Sequence, residues 1–304
     1  MKKTIAFYFA FVMVCAVSHA QNTATVVKVS NADEFIKAIA PNITIELAAD
    51  TFRLRDIAEI KNFPEDTEGS FQVNKYVTYM PGNGIVIEGV EGLKIRGTGN
   101  GKMHSVLASR DQGDFILTFR DCKRIRLTDF EANHIPHAGG GCSGGVLFFD
   151  KCTNVQIEDA LLVGSGRCGL LCNEVVNMSC MLLTIDECSS ALMELQHDSL
   201  LKFESCTFQN TKSEYGLVWI DVAHAVSFVG CSFNGNYMDT SKYAYKTEND
   251  CVFKFYIEKT STAFRVENCT FENNRFKAFT NRKEIFTRKG NKFTNNKALE
   301  DGEQ

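Results

Sequence analysis

From about residue 114 the apolar and polar positions follow a short pattern that keeps returning. Gly145-Val-Leu-Phe-Phe-Asp150 is followed by Gly169-Leu-Leu-Cys-Asn-Glu174, Ala191-Leu-Met-Glu-Leu-Gln196 and Gly216-Leu-Val-Trp-Ile-Asp221. The starts at 145, 169, 191 and 216 set a period of roughly 22–25 residues. A second phrase trails each first one: Val155-Gln-Ile157, Val176-Asn-Met178, Leu201-Lys-Phe203, Val226-Ser-Phe228 and Phe264-Arg-Val266. A third reads Cys206-Thr-Phe208, Cys231-Ser-Phe233 and Cys269-Thr-Phe271, with Asn291-Lys-Phe293 as a degenerate last copy. Each phrase alternates apolar with polar, which is the strand period of two. Three strands in about two dozen residues leave no room for a helix. The leucine-rich signature is missing, and a propeller blade needs about 40 residues. An all-β fold is therefore predicted, a right-handed parallel β-helix whose coils stack at the ~4.8 Å strand spacing. Equivalent residues then form ladders, Phe208/Phe233/Phe271/Phe293 and Cys206/Cys231/Cys269 being the clearest.

The N-terminal part differs. Ser30-Asn-Ala-Asp33 reads as a capping box opening a short helix from Asp33 to Ala40, and Thr44-Ile-Glu-Leu47 as a strand. A solenoid end exposes unpaired strand edges, so such a cap is expected. Residues 53–81 have no repeat pattern and read as an inserted loop or hairpin, with coils starting near Gly84. The predicted division is a leader at 1–20, a cap with its insertion at 21–83, a β-helix at 84–296 and a charged tail at 297–304.

These segments resemble a known group. Asn31-Ala-Asp-Glu-Phe-Ile-Lys-Ala-Ile39, Ile43-Thr-Ile-Glu-Leu47 and Thr51-Phe-Arg-Leu54 are similar to the N-terminal cap of the pectate-lyase-like right-handed β-helix superfamily. Glu-Asn-Cys-Thr-Phe271 and Glu-Ser-Cys-Thr-Phe208 resemble its coils. The resemblance implies the fold. It also implies a range of polysaccharide lyases, glycoside hydrolases, esterases and epimerases, with no one catalytic signature matched, and fold alone does not license a reaction.

Composition sharpens the setting. Met1 to Ala20 has Lys2 and Lys3, an apolar run and a small-residue end, the form of a secretory signal peptide. No later segment reaches the ~20 apolar residues of a membrane span. The formal charge of −4 becomes −6 once the two leader lysines are removed, which disfavours a nucleic-acid partner. A secreted or periplasmic monomer is expected. Eleven of the 12 cysteines lie beyond the leader. That compartment permits disulfides, and an odd number leaves at least one thiol free.

Aligning the first phrases by their shared start puts two outward columns on one sheet face. One is Thr118, Phe148, Cys172, Glu194, Trp219 and Lys254; the other is Arg120, Asp150, Glu174, Gln196, Asp221 and Tyr256. Asp150, Glu174, Glu194 and Asp221 are candidate acids and bases or Ca²⁺ ligands, because close carboxylates raise one another's pKa and hard cations take oxygen ligands. Arg120 and Lys254 are suited to neutralise a uronate, and Trp219 and Tyr256 to stack on sugar rings. A solvated acidic face is the competing reading. A glycine-rich insertion, His134-Ile-Pro-His137-Ala-Gly-Gly-Gly-Cys142, reads as a tight turn; beside the stripe, His134 and His137 are candidates to bind substrate, with an acid or base role as the alternative, and the spacing fits no zinc site. Gly164-Ser-Gly-Arg167 reads as a turn whose arginine is a turn charge, with approach to an anionic sugar as the alternative. The expected function is binding or degradation of a polysaccharide, uronic-acid-containing for preference, by a lyase or hydrolase. The alternative is a non-catalytic surface, adhesion or structural role. A groove walled by 53–83 and 131–144 is expected for an enzyme, an open flat sheet for adhesion.

Overall fold

A computed structural model describes residues 25–57, 60, 69–98, 104–135, 143–213, 216–238, 250–256 and 261–297. The leader, His137 and Cys142 lie outside the described residues. No helix among them is long and apolar enough to cross a membrane. The strand Thr25–Val29, paired in parallel with Ile43–Leu47, leads into the helix Ala32–Ala38. Its N-cap is Asn31, one residue past Ser30, and the Asn31 side chain accepts from the Glu34 amide at 2.9 Å. Glu34 answers by accepting from the Ser30 amide at 2.8 Å, the reciprocal exchange of a capping box.

The remainder winds into a parallel β-helix, right-handed as parallel crossovers are. Among the described residues, sheet 1 has ten strands, including Leu117–Arg120, Leu147–Asp150, Cys168–Asn173, Ala191–Gln196, Val218–Ile220 and Cys251–Phe255. Sheet 2 has 17 described strands and takes both the second and the third phrases. Stacking begins before Gly84: Ile43–Leu47 pairs in parallel with Lys94–Arg96, and Thr51–Arg53 with Val106–Ser109. The insertion contains an antiparallel unit, Phe71–Gln72, Val77–Met80 and Gly84–Glu88, which extends the edge of sheet 1.

One backbone device turns each coil. Residues with positive φ recur at spacings of three, five and five: 121, 124, 129; then 151, 154, 159, 164; then 174, 177, 182, 187; then 197, 200, 205, 210. Stacked over successive coils they form corner columns. Asn and Gly fit the left-handed region, but Arg124, Leu182, Leu200 and Ala225 occupy it too, at roughly 1–2 kcal/mol each. The packing on either side of the corner offsets that cost.

The core is a set of ladders. Phe233 and Phe271 stack with centroids 4.7 Å apart, and Phe271 and Phe293 at 4.9 Å. Phe208 joins Phe233 at 4.9 Å, tilted by 43°. Phe203 and Phe228 form a parallel ladder at 4.7 Å in the second phrase. Cys206, Cys231 and Cys269 stack as expected, linked by amides one residue on that donate to the Cys206 and Cys231 carbonyls. The ten described cysteines are free, buried thiols. Burial pushes Cys188 and Cys251 up to about 12, so they behave as small apolar residues.

Candidate functional site

The outer face of sheet 1 follows the expected columns with one slip. Leu147 pairs with Leu117 on one side and Leu170 on the other, and Asp150 with Arg120 and Asn173. Cys172 therefore points inward and is fully buried, and Leu171 takes its outward place. Glu174 does not join the stripe. It is the next corner residue, with φ of 54°, in line with Lys151 and His197. The first glycines of the coils are not in register: Gly169 sits one position past the equivalent of Ala191, which pairs with Cys168. The sequence contains the remedy. The pairing register matches Val155 with Met178, not Val176. Reading Met178-Ser-Cys180 as the second phrase restores the five-residue offset between Asp150 and Val155 and identifies Asn173.

The corrected columns divide the remaining candidates. Arg120 and Asp150 are neighbours, Nε to Oδ2 at 3.2 Å, and Asn173 donates to the other Asp150 oxygen at 2.8 Å. Glu194 is only 2 % exposed. Both its oxygens accept from Arg167, each at 2.8 Å, the bidentate fork that suits a desolvated carboxylate. Arg167 thus reaches a carboxylate of its own chain rather than standing as a free turn charge. Trp219 stacks on the Glu194 rung and Lys254 on the Trp219 rung. Trp219 and Tyr256 meet edge to face at 5.8 Å, with Tyr256 69 % exposed. Asp221 follows Ile220, its amide donating to Leu195. Its Oδ1 is buried and has no hydrogen-bond partner among the described residues.

His134 is not a loop residue beside this face. It ends the strand Lys123–His134 and is fully buried, with Nε2 3.0 Å from the Asp114 carbonyl. Burial lowers its pKa, so the ring is neutral in the core.

Three buried carboxyls, Asp114, Asp198 and Asp250, stand outside the predicted stripe. Burial, followed by the nearby Asp111 charge, raises Asp114 to about 6; it accepts from the Tyr79 hydroxyl at 2.8 Å and the Gly82 amide at 2.5 Å. Burial raises Asp198 to about 8, although the Val175 and Gln196 amides donate to it at 2.8 Å each. Asp114 and Asp198 tie segments together inside the fold. No group of three or more His, Cys, Asp or Glu gathers among the described residues to hold a metal ion. The oxygens of Asp150 and Glu194 are already engaged, so the stripe does not fit a calcium shell.

No family model matches the chain, and no curated protein matches it. Solved structures do. A surface adhesin of Streptococcus pneumoniae, PfbA, is 10% identical with a TM-score of 0.49, covering 91% of this chain and 81% of that one. Geobacillus virus E2 ORF18 is 10% identical with a TM-score of 0.49, covering 88% of this chain; the match spans only 57% of the viral protein. An alginate lyase from Paenibacillus sp. str. FPU-7 is 9% identical with a TM-score of 0.41, covering 90% of this chain and 97% of that one. The right-handed parallel β-helix itself rests on this chain's own strand pairing, and it is the fold that the sequence resemblance implies.

Proposed function

We propose that the open end of sheet 1 holds a polysaccharide chain outside the cytoplasm. The observation that carries this reading is the Trp219–Tyr256 pair, two rings at 5.8 Å on an outward face. Aromatic faces bury the apolar side of a sugar ring at little entropic cost. Gln196, Asp221 and Lys254 surround them on neighbouring rungs, which supplies amide, carboxylate and ammonium partners for hydroxyls or a uronate. The secretory form of residues 1–20 supports the location.

Of the acids in the stripe, Asp221 is the one that no arginine closes among the described residues, which makes it the candidate acid or base for cleavage, by a lyase or hydrolase route. The closed Arg120–Asp150 and Arg167–Glu194 pairs favour the second reading, a binding surface without cleavage. The test is a panel of uronic-acid and neutral glycans, with and without Ca²⁺, on the wild type, Trp219→Ala and Asp221→Asn. Trp219→Ala is expected to weaken binding at least tenfold, and Asp221→Asn to abolish turnover while binding persists. A Trp219→Ala protein that binds every glycan as the wild type does removes the site. Turnover that survives Asp221→Asn removes the catalytic role.

A further inference from the structure

The second corner of each coil makes a feature that the stripe does not use. Sheet 2 strands bend where Arg124, Asn154 and Asn177 take positive φ on three successive rungs, with Asn42 and Gly92 in line before them. Repeated bending in one direction leaves a re-entrant groove along the solenoid, and its volume is about 910 Å³. Lys94, Arg124 and Arg126 line it, together with amides and hydroxyls such as Asn154, Gln156 and Ser179. Among the described residues, no carboxylate lines it. The sign of charge is thus inverted in one groove of a chain whose net charge is −4.

The two acids that pair with the arginines stand outside that lining. Glu91 meets Arg124, and Glu158 meets Arg126 at 2.9 Å. These pairs are solvent-exposed, with side chains 36–57 % accessible, so each contributes at most about 1 kcal/mol and opens readily for a better anion. Lys94 and Arg126 occupy adjacent rungs of one outward column, continued by Gln156 and Ser179. Cations one strand spacing apart, about 5 Å, and then a row of amide and hydroxyl groups, match a linear chain that presents an acidic group and hydroxyls at every unit or two.

We propose that this groove binds an acidic oligosaccharide along the solenoid axis, its carboxylate or sulfate groups held by Lys94, Arg124 and Arg126. The site is separate from the sheet 1 face and does not depend on it. The column itself supplies the test variant. Arg124→Asn copies Asn154, Arg126→Gln copies Gln156 and Lys94→Thr copies Thr44, each the residue that a neighbouring rung carries at that position, so the triple variant retains the fold. Calorimetric titration of the purified protein would use a galacturonate hexamer, a sulfated heparin hexasaccharide and neutral cellohexaose. The wild type is expected to bind one or both acidic hexamers, more weakly as salt rises; the two arms separate carboxylate from sulfate. With Trp219→Ala as the common background, which removes the contribution of the sheet 1 face, the triple substitution should lose at least tenfold in affinity for that ligand. The proposal is overturned if neither acidic hexamer binds, if cellohexaose binds as tightly, if the triple substitution leaves the affinity in that background unchanged, or if an oligothymidylate displaces the sugar at lower concentration. Loss in Trp219→Ala alone would move the acidic ligand to sheet 1.

Discussion

Two halves of one column on sheet 1 differ in how far water reaches them. Val86, Thr118, Leu171 and Glu194 all point outward and are all buried, none more than 3 % exposed, with Phe148 half-buried among them. Trp219 and Lys254 continue the column and are more exposed. Alternation along a strand therefore fixes which face a side chain takes, and not whether water reaches it. The first half is covered by chain folded over the sheet. Phe115 packs on Phe148 with ring centroids 5.3 Å apart and joins Leu171 and Ala191 in a second apolar cluster. The Thr118 hydroxyl donates to the Asn83 carbonyl at 2.7 Å, and Arg167 lies over Glu194. That division explains why the carboxylates differ in what they can do, since a covered one must be paired and an open one need not be.

The sharpest way to break the contrast is one substitution made in both halves. Leu171→Asp buries an unpaired carboxylate and is expected to cost about 4 kcal/mol, whereas Lys254→Asp in the same column should stay within about 1 kcal/mol. Urea unfolding of both would decide, and equal costs would mean that the cover is not there.

A second effect concerns how a buried carboxyl survives without a cation. Asp198 keeps its proton instead, at a pKa of about 8 against 3.8 unfolded. Between those values the folded state binds more protons than the unfolded one. Its contribution is thus fully present below about pH 4 and is lost as pH rises toward 8. The stability of the wild type relative to Asp198→Asn should therefore fall between pH 5 and pH 8, by on the order of 2–3 kcal/mol. A difference independent of pH would refute the protonated carboxyl.

The smallest effect is expected at the ion pair. Glu194→Gln keeps the shape of the side chain and removes the charge that Arg167 faces. The Arg167 side chain is 39% exposed, so solvent screening limits the loss to about 1–2 kcal/mol in thermal unfolding. A loss above about 4 kcal/mol would show that the pair is as desolvated on the arginine side as it is at Glu194.

Much of this architecture was legible in the sequence. Phe208, Phe233, Phe271 and Phe293 recur because equivalent core sites in a stacked coil see the same neighbours, so one residue type suits all of them. The hairpin insertion and the capping helix were legible for the converse reason, a lapse of the repeat. Glu174 was misplaced because a strand's face flips with a slip of one residue, and glycine starts do not fix register to that precision. The corners were harder still: Leu200 and Ala225 carry no signature of positive φ, and only their spacing from Asn154 and Asn177 marks them.

The chain by itself determined the repeat, the parallel stacking, the inward ladders and the small set of residues that point away from the core. These are local or nearest-neighbour properties, written in alternation and period. Only the tertiary structure decided which outward residues lie under cover, which carboxylates are closed by arginines, and that Lys94, Arg124 and Arg126 line one groove. Each depends on where a bend or an overlying segment falls in space, and residues from several rungs must be placed together before such a surface exists.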